Sequence, residues 1–471
     1  MEKLAPSSRR QFLKLSGLAG AASLLTAHGA TATSAPTSAA CCGQAKNVIF
    51  LVADGLGHGT VALAHHWKLH NEQQPLNWIQ LLEREGLRRA YQDTASASSP
   101  VTDSSAAASA WGCGHRINNG ALNMTPDGVM RKPILSYAKQ AGKATGLVTT
   151  CRVTHATPAG FAANAESRNL EDVIAQQYFE REVDVILGGG ARHFKQKQED
   201  GGVLDYIPRF IDKGYTFVQD SKQLSAAAQG SGPLIGLFAQ SHIPYRIDRA
   251  NEAMHQQVPG LEEMFRAALL RLDQAKDGFV LQVEGGRVDH AGHGNDTAAI
   301  LHEFLEFDAC LPIALEYVEQ HPETLLVITT DHGTGGCQLN GAGPSYSDSG
   351  PALERVNQFK HSFEWLHSRF MQTKQFDAQA IQLAFGIEAT AEQGAMVQAA
   401  IDAEVKYLSG VLIEAFGEQI RDLTAVGWTS GNHTAECVEL YALGPGSESI
   451  PGFVHNNEMF GIMTAALGIQ V

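Results

Sequence analysis

The sequence is short of basic residues and of aromatic residues. Lysine and arginine number 35 against 50 aspartates and glutamates, the formal net charge is −15, and aromatic residues make up 7% of the 471 positions. So acidic a chain lacks the positive surface that non-specific nucleic-acid binding requires, and we expect no nucleic-acid partner. If the substrate is an anion, local cations must attract it, because the overall charge of the protein repels it.

Membrane-spanning runs and cysteine-based scaffolds are also missing. Beyond the N-terminal region no segment is long and apolar enough to cross a bilayer, so the sequence predicts no transmembrane segment. The seven cysteines have neither the spacing of a zinc ribbon nor the density of a disulfide scaffold. Their odd number leaves at least one without an intramolecular partner if all are retained, and their pairing stays open.

The N-terminal region carries a twin-arginine pattern, Ser8-Arg9-Arg10-Gln11-Phe12-Leu13-Lys14. A weakly hydrophobic stretch of small residues follows from position 15 to about 27, and we expect cleavage between positions 29 and 40. This predicts a signal peptide and linker over residues 1–40, export by the twin-arginine machinery, and a periplasmic or extracellular location. A basic tail before a helix is the alternative. Lipid attachment at Cys41 is disfavoured, because the residues before it lack the expected leucine.

Three apolar runs end in side chains that bind metal ions. The run at 279–283 leads into Glu284, Asp289 and His293, the run at 47–53 ends at Asp54, and the run at 324–330 ends at Asp331-His332. Continuous apolar runs are typical of strands buried in a parallel sheet, and ligands bind at the carboxyl ends of such strands. An Asp and a His four residues apart share one face of a helical turn and can reach one ion. Each run taken alone is more often a strand followed by a solvated turn, and it is the number of matching pieces that favours a metal site.

The remaining pattern predicts an α/β fold, a three-layer αβα sandwich with a central, mostly parallel sheet, over residues 41–471. Further strands are expected at 143–150, 183–190 and 438–443, a mainly helical polar segment up to about 275, and one amphipathic helix at 297–318. A helical insert at about 341–426, without strands, is interpreted as a cap over the site or an oligomerisation element. Asp103 and Ser104 precede an Ala-rich helix, whose positive N-terminus favours an anion.

The ordered set of motifs resembles the alkaline phosphatase family over nearly the whole chain outside the signal and the insert. The matching segments are Asp54-Gly55-Leu56-Gly57, Thr102-Asp103-Ser104, His155-Ala156-Thr157-Pro158, Arg168, Gly188-Gly189-Gly190, Glu284 through His293, Asp331-His332-Gly333 and Asn432-His433-Thr434. The resemblance implies an exported phosphomonoesterase that releases inorganic phosphate through a phosphoserine intermediate. It also implies two Zn²⁺ and one Mg²⁺ per chain, and family members are commonly homodimers.

The resemblance assigns a role to each matching residue. The first zinc would be held by Asp289, His293 and His433, the second by Asp54, Asp331 and His332 beside Ser104, and the magnesium by Asp54, Thr157 and Glu284. Ser104 matches the nucleophile and Arg168 the phosphate clamp, with Asp103 positioning Arg168.

Two positions depart from the best-known bacterial pattern, which has Asp and Lys where this chain has His155 and His290. The resemblance implies that both lie beside the magnesium site, which is then looser or partly taken by zinc. The alternative is that both histidines only fill space next to the site.

Other members of the same superfamily are competing interpretations: a phosphodiesterase, a sulfatase or a metal-dependent phosphomutase. The sulfatase motif is absent around Ser104, and a diesterase would lack a clamp such as Arg168. A non-catalytic zinc- or phosphate-binding export protein is disfavoured, because every ligand position, the nucleophile and the clamp are filled.

Overall fold

The computed structural model of the protein describes residues 45–198 and 201–471. The twin-arginine pattern, the expected cleavage region and Cys41 lie outside the described residues. No helix in the described ranges combines the length and the apolar character that a bilayer span requires.

The strands of the described residues are, in chain order, β1 (Asn47–Val52), β2 (Arg88–Asp93), β3 (Ala144–Arg152), β4 (Val185–Gly189), β5 (Lys195–Lys197), β6 (Val203–Asp205), β7 (Thr216–Val218), β8 (Leu234–Leu237), β9 (Phe279–Glu284), β10 (Thr324–Thr329), β11 (Gly333–Thr334), β12 (Gln338–Leu339), β13 (Val426–Gly427), β14 (His433–Thr434), β15 (Val438–Leu443) and β16 (Phe453–His455). Ten of them form the main sheet, in the order β16-β2-β15-β10-β1-β9-β3-β4-β8-β7. Only β15 runs antiparallel to its neighbours, β10 and β2.

The helices are α1 (His58–Glu72), α2 (Asn77–Gln80), α3 (Ser104–Cys113), α4 (Ile134–Gln140), α5 (Ala156–Ala162), α6 (Glu171–Glu180), α7 (Tyr206–Asp212), α8 (Ser221–Ala228), α9 (Arg246–Asn251), α10 (Leu261–Leu272), α11 (Arg287–His293), α12 (Thr297–Asp308), α13 (Cys310–Gln320), α14 (Ser349–Val356), α15 (Phe363–Thr373), α16 (Ala378–Phe385), α17 (Ala391–Asp402), α18 (Ser409–Thr424) and α19 (Glu458–Ala466). Short 3₁₀ turns occupy Leu81–Glu83, Ala191–Phe194, Ala253–His255, Pro344–Tyr346 and Ser447–Ser449.

The central strands β1, β9 and β10 are buried along their whole length because helices cover both faces of the sheet. Alternate residues of β1 belong to different hydrophobic clusters: Ile49 and Leu51 pack with α10 and α12, whereas Val48 and Phe50 pack with α4 and α19. This arrangement explains the uninterrupted apolar runs of the sequence. The predicted αβα sandwich with a mostly parallel sheet is confirmed.

Two secondary-structure predictions need correction. The segment up to residue 275 contains the expected helices and also strands that were not predicted, since β7 and β8 lie at one edge of the main sheet and β5 and β6 form a separate ribbon. The expected helix at 297–318 is two helices, α12 and α13, which meet at Ala309. Pro312 lies in the first turn of α13, where a missing N–H costs little, so it favours a new helix start over continuation.

The segment between β12 and β13 contains helices α14 to α18. Strands β12 and β13 pair antiparallel, so the two ends of the segment lie next to each other. These two-residue strands, together with β11, are the strands that the sequence did not predict in this region.

Candidate active site

Four neighbouring strands of the main sheet lead to one site. In the order β10, β1, β9, β3 they run parallel, and Val52 lies opposite both Thr329 and Glu284, while Glu284 also lies opposite Thr149. The residues that follow these strands therefore leave the sheet at the same level. This register brings Asp54, Asp331 and Glu284 to one edge, although almost three hundred positions separate the first two.

The first group of side chains consists of Asp54, Asp331 and His332, all fully buried. Nε2 of His332 lies 3.0 Å from Oδ2 of Asp331 and 3.7 Å from Oδ1 of Asp54. Oδ1 of Asp331 accepts hydrogen bonds from the backbone N–H groups of Gly55 and His332. Oγ of Ser104 lies 3.4 Å from Nε2 of His332, so the group faces the predicted nucleophile.

The second group consists of Asp289, His293 and His433, at the more open side of the site. Nδ1 of His293 lies 2.7 Å from the carbonyl oxygen of Gly431, and Nδ1 of His433 lies 2.8 Å from that of Thr102. Because a carbonyl only accepts, each Nδ1 carries a hydrogen, and Nε2 is the nitrogen of each ring that faces Asp289 and can bind a cation once it is deprotonated. The two Nε2 atoms are 3.0 Å apart and lie 3.5 and 3.4 Å from Oδ1 of Asp289.

The carboxylates of the site fit bound cations. Oδ1 of Asp54, Oδ2 of Asp331 and Oε1 of Glu284 are buried and accept no hydrogen bond from the described residues. Burial, Asp331 and Asp289 raise the pKa of Asp54 well above its ordinary value, and burial raises the pKa of Glu284 to about 7. Buried carboxylates without donors are costly unless a cation approaches them.

The charge on Asp289 is already compensated. Burial alone would raise its pKa, but the neighbouring His293 and His433 hold the pKa of Asp289 well below its ordinary value. The pKa of His433 rises to about 9, against the effect of burial, because Asp289 accepts its hydrogen bond. A divalent cation bound here would take the place of the proton that His433 shares with Asp289.

An oxygen-rich group lies behind Asp54. Thr157, in the first turn of α5, donates a hydrogen bond from Oγ1 to Oδ2 of Asp54 at 3.0 Å. Oε2 of Glu284 accepts a hydrogen bond of 2.6 Å from Thr149. Carboxylate and hydroxyl oxygens are the ligands that magnesium prefers.

Ser104 is the first residue of α3, and Asp103 is its N-cap, accepting a hydrogen bond of 2.9 Å from the N–H of Ala106. Nη1 of Arg168 donates to Oδ2 of Asp103 at 3.0 Å, and Nη2 lies 3.1 Å from Nε2 of His155. Burial alone would raise the pKa of Asp103, but Arg168 and the N-cap hydrogen bond lower it below its ordinary value. An anion at this helix end would meet free N–H groups and the Arg168 guanidinium.

His155 and His290 were predicted to lie beside the magnesium site; His155 contacts Arg168, and His290 packs against His155. Their rings are 5.3 Å apart, and burial and Arg168 hold the pKa of His155 well below its ordinary value. Nδ1 of His290 lies 3.0 Å from Nη1 of Arg287, whose other nitrogen donates to Glu364 on α15 at 2.7 Å. A residue of the insert therefore anchors a side chain next to the site.

Two residues near the site were missed by the sequence analysis, Cys151 and His242. Sγ of Cys151 lies 3.7 Å from Nδ1 of His290, and the His242 ring is 4.3 Å from the His290 ring. The position of Cys151 at the carboxyl end of β3 is a signal that could have identified it. His242 lies in a loop without a motif, and only the tertiary structure brings it to the site.

Comparisons with known proteins identify the family. The family model for alkaline phosphatase matches residues 45–469. The chain belongs to the alkaline phosphatase family. Alkaline phosphatase 3 of Bacillus subtilis is 33% identical over 427 residues, covering 88% of this chain and 87% of that relative.

Solved structures of alkaline phosphatases have the same fold. The Thermus thermophilus alkaline phosphatase has a TM-score of 0.81 at 35% identity, covering 91% of this chain and 92% of its own. A cold-active alkaline phosphatase from the psychrophile Shewanella sp. has a TM-score of 0.74 at 28% identity, with coverages of 89% and 99%. The chain is therefore a phosphoric monoester hydrolase, and its buried ligand-type groups fit the metal ions that the alkaline phosphatase family implies.

Proposed function

We propose that this protein is an exported alkaline phosphatase that hydrolyses phosphate monoesters through a covalent phosphoserine at Ser104. The observation that supports this most strongly is the position of Ser104 at the N-terminus of α3, with its Oγ 3.4 Å from His332 in a buried group of metal ligands. Arg168 donates a hydrogen bond to Asp103, the residue before Ser104, and from there it can bind phosphate oxygens.

Two zinc ions and one magnesium ion are proposed cofactors. The residues that would hold them are Asp289, His293 and His433 for the first zinc, Asp54, Asp331 and His332 for the second, and Asp54, Thr157 and Glu284 for magnesium. Mixed imidazole and carboxylate groups suit zinc, and oxygen groups suit magnesium. When bound, the ions would supply Lewis-acid stabilisation of negative charge on the reacting oxygens.

The protein side chains perform the remaining work. The hydroxyl of Ser104 loses its proton, its oxygen bonds to phosphorus, and the bond from phosphorus to the ester oxygen breaks, so the alcohol leaves with the electron pair and takes up a proton. Water then attacks phosphorus in the second half, freeing Ser104 and inorganic phosphate. Throughout, the fork of Arg168 orients the phosphoryl oxygens, and the N-terminus of α3 attracts their charge.

The variant Ser104→Ala tests the proposed nucleophile. We expect it to lose turnover of p-nitrophenyl phosphate and to retain its zinc, since no metal-binding carboxylate or imidazole is removed. Ser109→Ala is the matched control, because Ser109 is buried on the same helix and accepts a hydrogen bond from the backbone of Asn123, away from the site. Acid-quenched wild-type protein should carry phosphate on Ser104 by mass spectrometry. Full activity of Ser104→Ala would refute the covalent route.

Substrate class and export are tested separately. Bis-p-nitrophenyl phosphate should be hydrolysed far more slowly than the monoester, because a diester offers fewer free oxygens to Arg168; equal rates would favour a phosphodiesterase.

For export by the twin-arginine route to the periplasm or the exterior, we expect Arg9→Lys combined with Arg10→Lys to retain the precursor in the cytoplasm. Unchanged secretion of that variant would contradict the proposed route.

A further inference from the structure

Cys151 differs from the other buried cysteines of the described residues. Cys113, Cys310 and Cys337 each belong to a hydrophobic cluster, as small apolar side chains commonly do. Cys151 is equally buried, with 0% of its surface exposed, but none of these clusters includes it. Its thiol faces charged and imidazole groups at the end of β3, and apolar packing therefore does not account for it.

Two unpartnered polar atoms accompany this thiol. Ligand atoms of Cys151, His155 and Glu284 all lie within 4.8 Å of one another, and all three residues are buried. Nδ1 of His155 and Oε1 of Glu284 have no hydrogen-bond partner among the described residues. A thiol, an imidazole and a carboxylate that converge in this way have the donor set of a cation site.

Gly286 keeps the space beside these atoms open. A Cβ at position 286 would lie 2.7 Å from Sγ of Cys151 and 2.7 Å from Oε1 of Glu284, closer than any side chain can approach. A second group of possible metal ligands, Cys151 with His242 and His290, shares the sulfur atom of the first group. The arginines Arg287 and Arg152 donate to these two imidazoles, so the ligands of the proposed site are the three residues of the first group.

The nearby guanidinium groups do not exclude a cation, because carboxylates neutralise them. Arg152, which contacts His242, forms an ion pair of 2.7 Å with Glu171, and Arg287, which contacts His290, forms one of 2.7 Å with Glu364. Arg168, which contacts His155, is paired in the same way with Asp103 at 3.0 Å. The anionic groups left near the thiol are the carboxylates of Glu284 and Asp54. Metal binding would add the Cys151 thiolate.

We propose that Cys151, His155 and Glu284 form a mixed sulfur, nitrogen and oxygen site for a borderline divalent cation such as zinc. This inference rests on the proposed function and deepens it, since Glu284 also belongs to the oxygen group assigned to magnesium. A thiolate and an imidazole favour zinc or cobalt over magnesium, which takes oxygen ligands. The third site of this chain therefore accepts zinc in competition with magnesium, and sulfur is one of the zinc ligands.

Metal substitution tests the sulfur ligand directly. Metal-free wild-type protein is reloaded with Co²⁺, and we expect a near-ultraviolet band from thiolate-to-cobalt charge transfer. The band should disappear in Cys151→Ser and persist in Cys310→Ser, a control at an equally buried cysteine in the hydrophobic core. X-ray absorption at the zinc edge of zinc-loaded wild-type protein should show a sulfur scatterer at about 2.3 Å.

The zinc affinity of the third site, measured by competition with magnesium, provides a second test. Because losing even an outer partner of a metal ligand lowers affinity by about 10–100-fold, the zinc affinity of the third site should fall at least tenfold in Cys151→Ser. Gly286→Ala, which leaves the cysteine in place, should lower it as well by crowding the sulfur. Unaltered third-site affinity in both variants contradicts the proposal.

The outcomes separate this inference from the proposed function. A cobalt band that persists in Cys151→Ser, or wild-type protein with three bound cations and no sulfur scatterer, overturns the sulfur site and leaves the phosphatase proposal intact. Conversely, Ser104→Ala should keep the band while it loses turnover, so failure of the nucleophile assignment does not affect the spectrum.

Discussion

Arg168 is held in place before any phosphate binds. Asp103 and His155 accept hydrogen bonds from different nitrogens of its guanidinium, at 3.0 and 3.1 Å. A lysine at this position offers a point charge and cannot bridge Asp103, His155 and two phosphate oxygens at once. Hydrogen bonds to charged groups contribute about 1.5–3 kcal/mol, so Arg168→Lys should lower kcat/KM by roughly 10–100-fold.

Steady-state kinetics with p-nitrophenyl phosphate checks this prediction, and inhibition by inorganic phosphate should weaken by a similar factor. Arg369→Lys is the control, because Arg369 lies on α15 in an exposed pair with Asp377. Wild-type kinetics and wild-type phosphate inhibition in Arg168→Lys would remove the clamp role.

Asp296 predicts a pH-dependent stability away from the metal ligands. It caps α12 and accepts hydrogen bonds from the N–H groups of Ala299 and Phe363, yet burial raises its pKa to about 7. In the unfolded chain the same carboxyl releases its proton near pH 4. Between these values the folded state binds more protons, so this group lowers the free energy of unfolding as the pH rises, by on the order of 1 kcal/mol per pH unit.

The variant Asp296→Asn removes this titration while an oxygen acceptor remains. Relative to wild type it should gain stability by on the order of 2 kcal/mol between pH 5 and pH 7, measured by urea unfolding of metal-free protein. Asp377→Asn is the control: Asp377 also caps a helix, but Arg369 holds its pKa below the ordinary value, against burial. A constant difference between Asp296→Asn and wild type across this range would disprove the assignment.

The positions of several candidate residues at strand and helix ends were predictable from local patterns, whereas the roles of Ser104 and Arg168 came from the resemblance to the alkaline phosphatase family and stay predictions. Asp54, Glu284 and Asp331 directly follow apolar runs, and Asp103 precedes an Ala-rich run, so local patterns place them at strand and helix ends. Cys151 lies at the carboxyl end of β3 but was not assigned to the site, and His242 carries no such pattern. Their proximity to His290 depends on how α11 and the loop after β8 pack, which a local pattern does not encode.

Helices α3 and α5, which begin at Ser104 and next to Thr157, pack closely because small residues let their backbones touch. A Cβ at Gly112 would lie within 1.9 Å of the carbonyl oxygen of Gly160, and one at Gly160 would lie 2.6 Å from Cβ of Ala108. Neither neighbour can rotate away, since one is backbone and the other is a methyl group.

We therefore expect Gly112→Ala to push the two helices apart. Overpacking of this kind costs roughly 1–3 kcal/mol of stability, and the shift of Ser104 should lower kcat more than KM. Thermal unfolding and steady-state kinetics measure the two effects. Gly417→Ala on α18 is the control, because a Cβ there meets only the side chain of Ile413 at 3.4 Å. A Gly112→Ala enzyme with wild-type stability and kcat would show that this contact does not set the site geometry.

Strands were predictable from the sequence where they are fully buried, because they then form long, uniformly apolar runs. Strands β1, β9 and β10 have six residues each and lie inside the sheet, so their apolar runs stand out. Strands β7 and β8 have three and four residues at or next to one edge, too short for a period to emerge beside their polar loops. The boundary between α12 and α13 was missed because both helices continue one amphipathic pattern.

The whole site depends on the order of the strands in the main sheet, which local sequence patterns do not predict. Parallel strands with acids at their carboxyl ends predict a shared edge, but not that β10, β1, β9 and β3 are direct neighbours. That order concentrates Asp54, Glu284, Asp289 and Asp331 in one buried region, and His433 is supplied by β14. The bound cations that the alkaline phosphatase family implies would therefore connect strands and loops from both halves of the chain.

Metal removal should thus weaken the fold as well as the activity. Without cations the buried carboxylates repel one another, whereas a ligand present at about 1,000 times its Kd stabilises the folded state by about 4 kcal/mol per site. Chelator-treated protein should unfold at a temperature several degrees lower and lose phosphatase activity, and both should return on adding Zn²⁺ and Mg²⁺. The control is Asp289→Asn combined with His293→Asn, whose unfolding temperature should respond less to chelation. If chelation removes all metal and leaves the unfolding temperature of wild-type protein unchanged, the cations do not join these elements.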